Sequence, residues 1–387
     1  MSIKLTNKVD KKKGNLLIFL EILSCEGGIQ SYVRDIFQAY QYLTTSAKIS
    51  ISGLEADILL LRDAPECENP YQSRSLNFYY LKTQLAWLGR LKLATIFLWC
   101  LVKKQPKQVF CGHINLAPLV QTLCMPLKIP YSILTYGKEV WEPLHSKYQQ
   151  ALKQASSILT ISRYSRDRSC ENNHLDPQKF QLLPCMVDGE IFTPGPKPVD
   201  LIERYDLQGA KVLMTVARLW SGDPYKGVDV TIRALPLILQ NFPEVKYLVI
   251  GRGDDRPRLA KLAQDLGVGE KVVFAGFVPT EDLVKHYQVA DAYVMPSQEG
   301  FGIVYLEAMA CGIPVLSGDA DGSADPLQDG KLGWRVPHRE PEAVANACIE
   351  MLKGEDRRCD GQWLREETLK VFGRVAFTER LRQLLDL

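Results

Sequence analysis

Two carboxylates, Glu299 and Glu307, stand with seven residues between them in Glu299-Gly-Phe-Gly-Ile-Val-Tyr-Leu-Glu307. The run follows an apolar stretch ending near Met295 and leads into Ala308, Met309 and Ala310, which predicts a strand, a loop and a helix in that order. Glu299 then falls in the loop, and Glu307 points inward from the early turns of the helix. Gly300 and Gly302 let backbone approach a ligand. The free N–H groups of a helix start donate to phosphate or hydroxyl oxygens. Two carboxylates aimed at one place suit sugar hydroxyls, which need acceptors in fixed positions. On spacing alone, a capping Glu and a surface Glu fit as well. The apolar neighbours Val304, Leu306, Ala308 and Met309 argue for a partnered, inward Glu307.

Arg218 follows a predicted strand, Lys211–Val216, and Lys226-Gly227 opens the next helix. Two fixed cations at a strand end would stabilise the negative charge that develops on a diphosphate as a sugar–phosphate bond breaks. Two solvated surface cations would look the same in sequence. Gly27-Gly28 follows the first strand and permits a tight turn near a phosphate or an acceptor. It lacks the G-x-G-x-x-G spacing of a dinucleotide site, and Gly251-Arg-Gly253 is equally incomplete, which argues against NAD chemistry. His113 follows the strand Gln108–Cys111, and Gly137-Lys-Glu139 follows Tyr131–Thr135, so both face the same end of a sheet. A lone His is more often structural than catalytic.

These positions need parallel strands with helices between them. Strands are predicted at Asn15–Leu20, Asp57–Leu61, Gln108–Cys111, Tyr131–Thr135 and Ser157–Ile161. After a Pro- and Gly-rich linker, Phe192–Pro198, six more follow: Lys211–Val216, Val245–Ile250, Lys271–Ala275, Ala292–Met295, Ile313–Leu316 and Gly333–Val336. Helical stretches such as Gly28–Leu43, Val228–Asn241, Arg256–Leu266 and Pro341–Lys353 alternate with them, the βαβ rhythm of α/β sheets covered on both faces. The chain is read as an N-terminal Rossmann-like domain, 1–190, a second, 191–360, and a C-terminal helix, 361–387, returning to the first. Open α/β sheets bind ligands at the carboxyl ends of their strands, which predicts a site in the crevice between the halves.

With 387 residues, 46% hydrophobic and 24% charged, the chain is neither disordered nor too short for two cores. Leu85–Val102 comes nearest to a membrane span, but Arg90 and Lys92 interrupt it. Lys11, Lys12 and Lys13 precede an apolar run, Leu16–Leu20, that is too short for a leader and is followed at once by Glu21, so a cytoplasmic protein is expected. Ten scattered cysteines without a C-x-x-C pair predict free thiols and no metal site. Between Asn69 and Lys138 there are nine basic residues and no acidic one, a bias suited to an anionic partner. The window also holds Tyr71, Phe78, Tyr79, Tyr80, Trp87, Phe97 and Trp99. Rings and cations together suit a membrane interface, although Trp87, Ile96, Phe97 and Leu101 would equally form a buried helix face. No nucleic-acid motif accompanies the basic window, and no nucleic-acid partner is expected.

The chain resembles the GT-B fold glycosyltransferases of family GT4, from Asn15 to about Leu385. The resemblance rests on Pro296-Ser297 with Glu299 through Gly312-Ile-Pro314, on Cys185–Pro194, and on Asp329-Gly330 followed by Gly333. It implies two Rossmann-like domains facing a central cleft. It also implies retaining transfer of a hexose from a nucleotide diphosphate sugar, UDP-glucose first and GDP-mannose next, in surface polysaccharide synthesis. The acceptor would be a glycan or lipid-linked and met at the inner membrane face, and neither metal nor other cofactor is implied. Glu307 would bind the ribose, and Glu299 the sugar hydroxyls near C3, with backbone of Phe301, Gly302, Ile303 and Val304 on sugar and phosphate. Arg218 and Lys226 would hold the diphosphate, backbone at Phe277 and Val278 the base, Gly28 the diphosphate from the first domain, and His113 the transferred sugar. Glu139 would face the acceptor side. Three departures stand out: Ala217 stands where the family has Gly before Arg218, Trp220–Tyr225 lengthens the gap before Lys226, and the stretch Asp319–Pro326 is rich in Asp, which makes Asp319 and Asp321 minor candidates. Two rival readings share the architecture: a sugar-nucleotide epimerase, and a non-catalytic nucleotide-sugar or glycan binder.

Overall fold

The structure, a computed structural model, describes residues 14–46, 55–222 and 226–385. Lys11–Lys13 and the Asp223–Tyr225 part of the lengthened gap lie outside the described residues. The chain forms two compact units. One comprises the chain up to Ile161, Ser165–Leu183 and the chain from Thr378; the other comprises Ser162–Tyr164 and Pro184–Phe377. The helix Gly361–Phe372 therefore groups with the second unit, and only the last residues group with the first.

The first unit is built on β1 (Asn15–Phe19), β2 (Ala56–Leu60), β3 (Leu76–Tyr80), β4 (Val109–Cys111), β5 (Tyr131–Thr135), β6 (Ser157–Thr160) and β7 (Phe180–Leu182). They pair in parallel in the order β3-β2-β1-β4-β5-β6-β7. The second unit holds β8 (Val212–Val216), β9 (Lys246–Ile250), β10 (Val272–Gly276), β11 (Ala292–Met295), β12 (Val315–Gly318) and β13 (Trp334–Val336). Their parallel order is β10-β9-β8-β11-β12-β13. Every residue of β1, β5, β11 and β12 is buried. That pattern follows from helices on both faces, and it is why these strands read as unbroken apolar runs. In each sheet the strand order reverses once, between β1 and β4 and between β8 and β11. The carboxyl end of such a reversal is where a parallel sheet opens to a ligand.

All six predicted strands of the second unit are present, as are all five predicted for the first. The two additional strands, β3 and β7, are edges. Only Leu76 of β3 is buried, and β7 has just three residues, none fully buried. An edge with one covered face does not write a long apolar run. The aromatic side chains of β3 and its approach pack on the sheet: Phe78 and Tyr71 both lie against Phe37, with ring centroids 5.4 and 5.7 Å away. They are not a membrane-facing set.

The predicted helix over Leu85–Val102 forms as Ala86–Trp99 and continues as a π-helical turn to Lys104. It buries Gly89, Leu93, Phe97, Cys100 and Leu101, one stripe at spacings of three and four. Trp87, expected on the buried face, is 60% exposed, and Leu85, Leu91, Trp99 and Val102 are each about half exposed. No helix among the described residues is long and apolar enough to cross a membrane. All ten cysteines are free thiols.

Candidate active site

In the second unit the expected residues gather at the β8/β11 reversal. The loop leaving β8 runs against the loop leaving β9: Ala217 N donates to Ile250 O at 2.9 Å and Leu219 N to Arg252 O at 3.0 Å. A Cβ on Gly251 would lie 1.8 Å from Ala217 O, and one on Gly253 would lie 1.7 Å from Leu219 O. Those two glycines are present for close backbone packing, which explains the incomplete phosphate motif noted in the sequence. Between the two contacts Arg218 projects, its guanidinium 5.4 Å from the exposed Trp220 ring. The helix Val228–Asn241 then begins after Gly227, whose φ is +75° and whose Cβ would meet Pro296 O at 2.3 Å. Glycine there brings the start of this helix against the loop leaving β11. Lys226 is thereby carried to Glu299, and the two form an ion pair. Arg218, Lys226, Trp220 and Gly227 line one pocket, so the two cations share a site despite the lengthened gap.

The β11 loop is held from below. Tyr305, fully buried, donates to Met295 O at 2.7 Å and lies 3.0 Å from the Ser297 hydroxyl. Gly302 (φ +89°) caps the helix Ile303–Ala310, and a Cβ there would sit 2.4 Å from the Tyr305 ring. The Phe301 side chain is buried, while Gly302, Ile303 and Val304 keep some exposure, which leaves their backbone for any ligand contact. Glu307 accepts a hydrogen bond from the Tyr287 hydroxyl at 2.7 Å. Part of the residue remains exposed, but the carboxyl is deeply desolvated, and burial pushes it up to about 7 against the bond from Tyr287. If ribose hydroxyls bind the carboxylate form, acidification through pH 7 removes the acceptor. Nucleoside diphosphate affinity is then expected to fall towards tenfold per pH unit below about 7. Calorimetric titrations at several pH values check this, and Glu307→Gln should flatten the trend. At the end of β10, Gly276 (φ +77°) turns the chain to Phe277, 53% exposed, with the Arg252 guanidinium 4.6 Å from its ring centroid. Val278 follows, half-buried. After β12, Asp319 is exposed, and Asp321 is buried with an oxygen on the Glu299 N–H.

In the first unit, Gly28 opens the helix Gly28–Ser46 with open space about its Cβ position. The loop before it is fixed by two side chains that sequence reading missed. Asp63, fully buried after β2, accepts from Ile22 N at 2.8 Å, Leu23 N at 3.0 Å, Ser24 N at 2.8 Å and the Ser24 hydroxyl at 2.7 Å. Arg34 donates to Ile22 O at 3.0 Å and Cys25 O at 3.1 Å. The signal was present as a lone acid closing an apolar run, but nothing in the spacing tied it to residue 22. At the β4 end Gly112 is required, since a Cβ would fall 1.9 Å from the Phe19 ring. His113 follows, its Nδ1 accepting from Asn115 N at 3.1 Å. Desolvation and the Arg62 charge lower its pKa, so the ring is neutral at pH 7 with its proton on Nε2, available as a donor. Glu139 is engaged by its own turn: it accepts from Tyr136 N, with the N–H groups of residues 137 and 139 also directed at it. Burial raises its pKa, and those N–H groups oppose the rise.

Two parallel-sheet Rossmann-like units of this kind define the GT-B class. Anabaena HepE, solved with UDP, superposes with a TM-score of 0.73 at 16% identity, covering 96% of this chain and 99% of that one. Sucrose-phosphate synthase from Thermosynechococcus elongatus gives 0.73 at 20% identity, covering 97% and 98%. Residues 203–361, within the second unit, match the model of the family described as Glycosyl transferases group 1. Among curated relatives, a GDP-mannose-dependent alpha-(1-6)-phosphatidylinositol monomannoside mannosyltransferase of Mycolicibacterium smegmatis is 35% identical over 232 residues, 56% of this chain and 59% of that protein. The Mycobacterium tuberculosis protein of the same description is 33% identical over 237 residues, 58% and 60% respectively. The matched stretch thus spans about three fifths of these relatives.

Proposed function

We propose that this chain transfers a hexose from a nucleoside diphosphate sugar to an acceptor hydroxyl, retaining the anomeric configuration and using no metal. The observation that carries the reading is Lys226, which lines a pocket with Arg218 and is ion-paired with Glu299 at the reversal of the second sheet. Arg218 and Lys226 take the charge that grows on the departing diphosphate. Glu299 accepts from hydroxyls of the transferred sugar, and Glu307 from the ribose. Phe277, under Arg252, offers a ring beside the base. In the first unit, Gly28 opens the helix Gly28–Ser46, and His113 carries a ring whose pKa burial lowers. The bond from the anomeric carbon to the phosphate oxygen breaks, and the acceptor oxygen bonds on the same face. Its proton passes to the departing phosphate. Glu139 keeps the acceptor side as its proposed place, with its carboxyl engaged by its own turn. GDP-mannose stands ahead of UDP-glucose as donor, because the relatives matched at 33–35% identity carry GDP-mannose in their descriptions.

Incubation with GDP-mannose alone, then with acceptor, separates this reading from an epimerase. Product is expected only with acceptor, and an epimerised sugar nucleotide formed in its absence would contradict it. Acceptors of the kind named for those relatives, lipid-linked mannosides, are the first to try.

On this reading the acceptor would be met at a membrane, and the exposed apolar side chains of the helix Ala86–Trp99 support contact with a lipid surface. Trp87, Leu91, Trp99 and Val102 are exposed beside Arg90, Lys92 and Lys103. Lys104 drops out of the basic set, because it pairs with Asp57 at 2.7 Å, while Lys92 and Lys107 donate to backbone carbonyls, Tyr80 O at 3.3 Å and Leu385 O at 3.1 Å. Each large apolar side chain taken fully out of water contributes roughly 1.5–3 kcal/mol, and each cation near anionic lipid about 1 kcal/mol. Sedimentation with phosphatidylglycerol-containing vesicles should show binding at low salt that fades at high salt. Trp87→Ser with Trp99→Ser, both at exposed positions, should abolish it without unfolding the protein. Absence of binding at low salt would leave a soluble acceptor.

A further inference from the structure

Glu299 is held by more than its ion pair. Its N–H donates to Asp321 Oδ2 at 2.5 Å, and its carbonyl accepts from Gly322 N at 2.8 Å. Both backbone groups of the residue are therefore tied to one turn, the turn that follows β12. Asp321 is 4% exposed. Its second oxygen, Oδ1, accepts from Ser323 N at 2.9 Å and from the Ser323 hydroxyl, which caps its own short turn. The two oxygens thus do different work: one closes a local turn, and the other reaches across 22 residues to Glu299. The approach is close enough that Gly322 admits no side chain, since a Cβ there would lie 2.0 Å from Gly300 O and 3.0 Å from Glu299 O. Ser323 is in turn fixed to the end of β12, its hydroxyl 3.0 Å from the Ser317 hydroxyl and 3.1 Å from Gly318 O.

We propose that Asp321 is a positioning residue that holds Glu299 beside Lys226, so that its carboxylate keeps its place when a donor sugar draws it off Lys226. The proposal rests on the reading that Glu299 meets the transferred sugar. While the site is empty, Lys226 fixes the Glu299 carboxylate. Once a diphosphate claims Lys226, that restraint weakens. The backbone anchors at 299 are then what set the carboxylate position, and a displacement near 1 Å at a reacting centre lowers rate by about 100-fold. A turn cap alone needs only Oδ1. The Oδ2 bond to Glu299 is the part that a cap does not explain.

Asp321→Ser separates the two roles. Serine caps a short turn well, but its single hydroxyl cannot also reach Glu299 N. Asp321→Ser should keep its melting temperature and its affinity for GDP or UDP, yet lose about 10- to 100-fold in kcat. Asp321→Asn should lose as much, because its amide N–H2 would face the Glu299 N–H. In a Glu299→Gln background the loss from Asp321→Ser should shrink to under about threefold, since two residues acting as a unit are not additive. Ser323→Ala, which leaves Oδ2 on Glu299, should stay near native kcat. Native kcat in a folded Asp321→Ser variant would overturn the proposal, and so would a loss that simply adds to that of Glu299→Gln. If Glu299→Gln itself turned over normally, the assignment of Glu299 to the sugar would fail, a result distinguishable from failure of the Asp321 link.

Discussion

Glu299→Gln is expected to lower kcat by about 100- to 1,000-fold while leaving nucleoside diphosphate affinity unchanged or slightly tighter. Gln keeps the volume and one acceptor oxygen. What it lacks is the charge. A charged acceptor makes hydrogen bonds about twice as strong as a neutral one. The carboxylate matters most when positive charge grows on the sugar ring as the phosphate departs, so the loss falls on the transition state rather than on binding. In the native protein Lys226 is paired with Glu299. Without that partner the ammonium is freer to meet a diphosphate, which is why GDP or UDP should bind no more weakly. Steady-state kinetics with calorimetry on the same variant read both quantities. A rise in KM at native kcat would place Glu299 on a part of the donor that does not change during reaction.

The second large effect is expected at the cations. On the proposed reading, Lys226→Ala removes a cation from the diphosphate and leaves the half-buried Glu299 carboxylate without this partner, facing an anion. Both effects weaken donor binding, and the growing charge on the leaving group adds a further loss in kcat. We expect kcat/KM to fall by about 1,000-fold or more. Arg218→Ala should cost about 100-fold, since its guanidinium is more exposed and stacks on Trp220 at 5.4 Å. The double variant should lose less than the product of the two, because both cations line one pocket. Lys226→Arg should not restore activity, as the planar fork does not fit where a compact ammonium meets one carboxylate oxygen. Native kcat/KM in Lys226→Ala would remove the diphosphate from this pocket.

The site was legible where local sequence carried it. Strands buried on both faces, such as β8, β11 and β12, write apolar runs, and the residues just after them fall at the sheet's carboxyl end. Arg218, Lys226, Glu299 and Glu307 were singled out as candidates that way. Edge strands were not found, because β3 covers only one residue fully and β7 is three residues long. Long-range polar anchors were illegible for a different reason. Asp63 holds a loop some forty positions earlier, and Asp321 holds Glu299 across 22 positions. In sequence each is one acid near a strand end, and only the fold shows which N–H groups it meets. Exposure around the helix Ala86–Trp99 was likewise open, because a helix apolar on every side does not declare which stripe is covered.

The most direct test of the central claim is the anomeric configuration of the product. The protein, with GDP-mannose or UDP-glucose and a lipid-linked mannoside acceptor, is incubated in excess EDTA, and the product is read by NMR from its one-bond anomeric C–H coupling. The account requires transfer in the absence of metal, with the α-configuration of the donor preserved. A β-linked product, or no transfer from either donor until a divalent ion is restored, would contradict it.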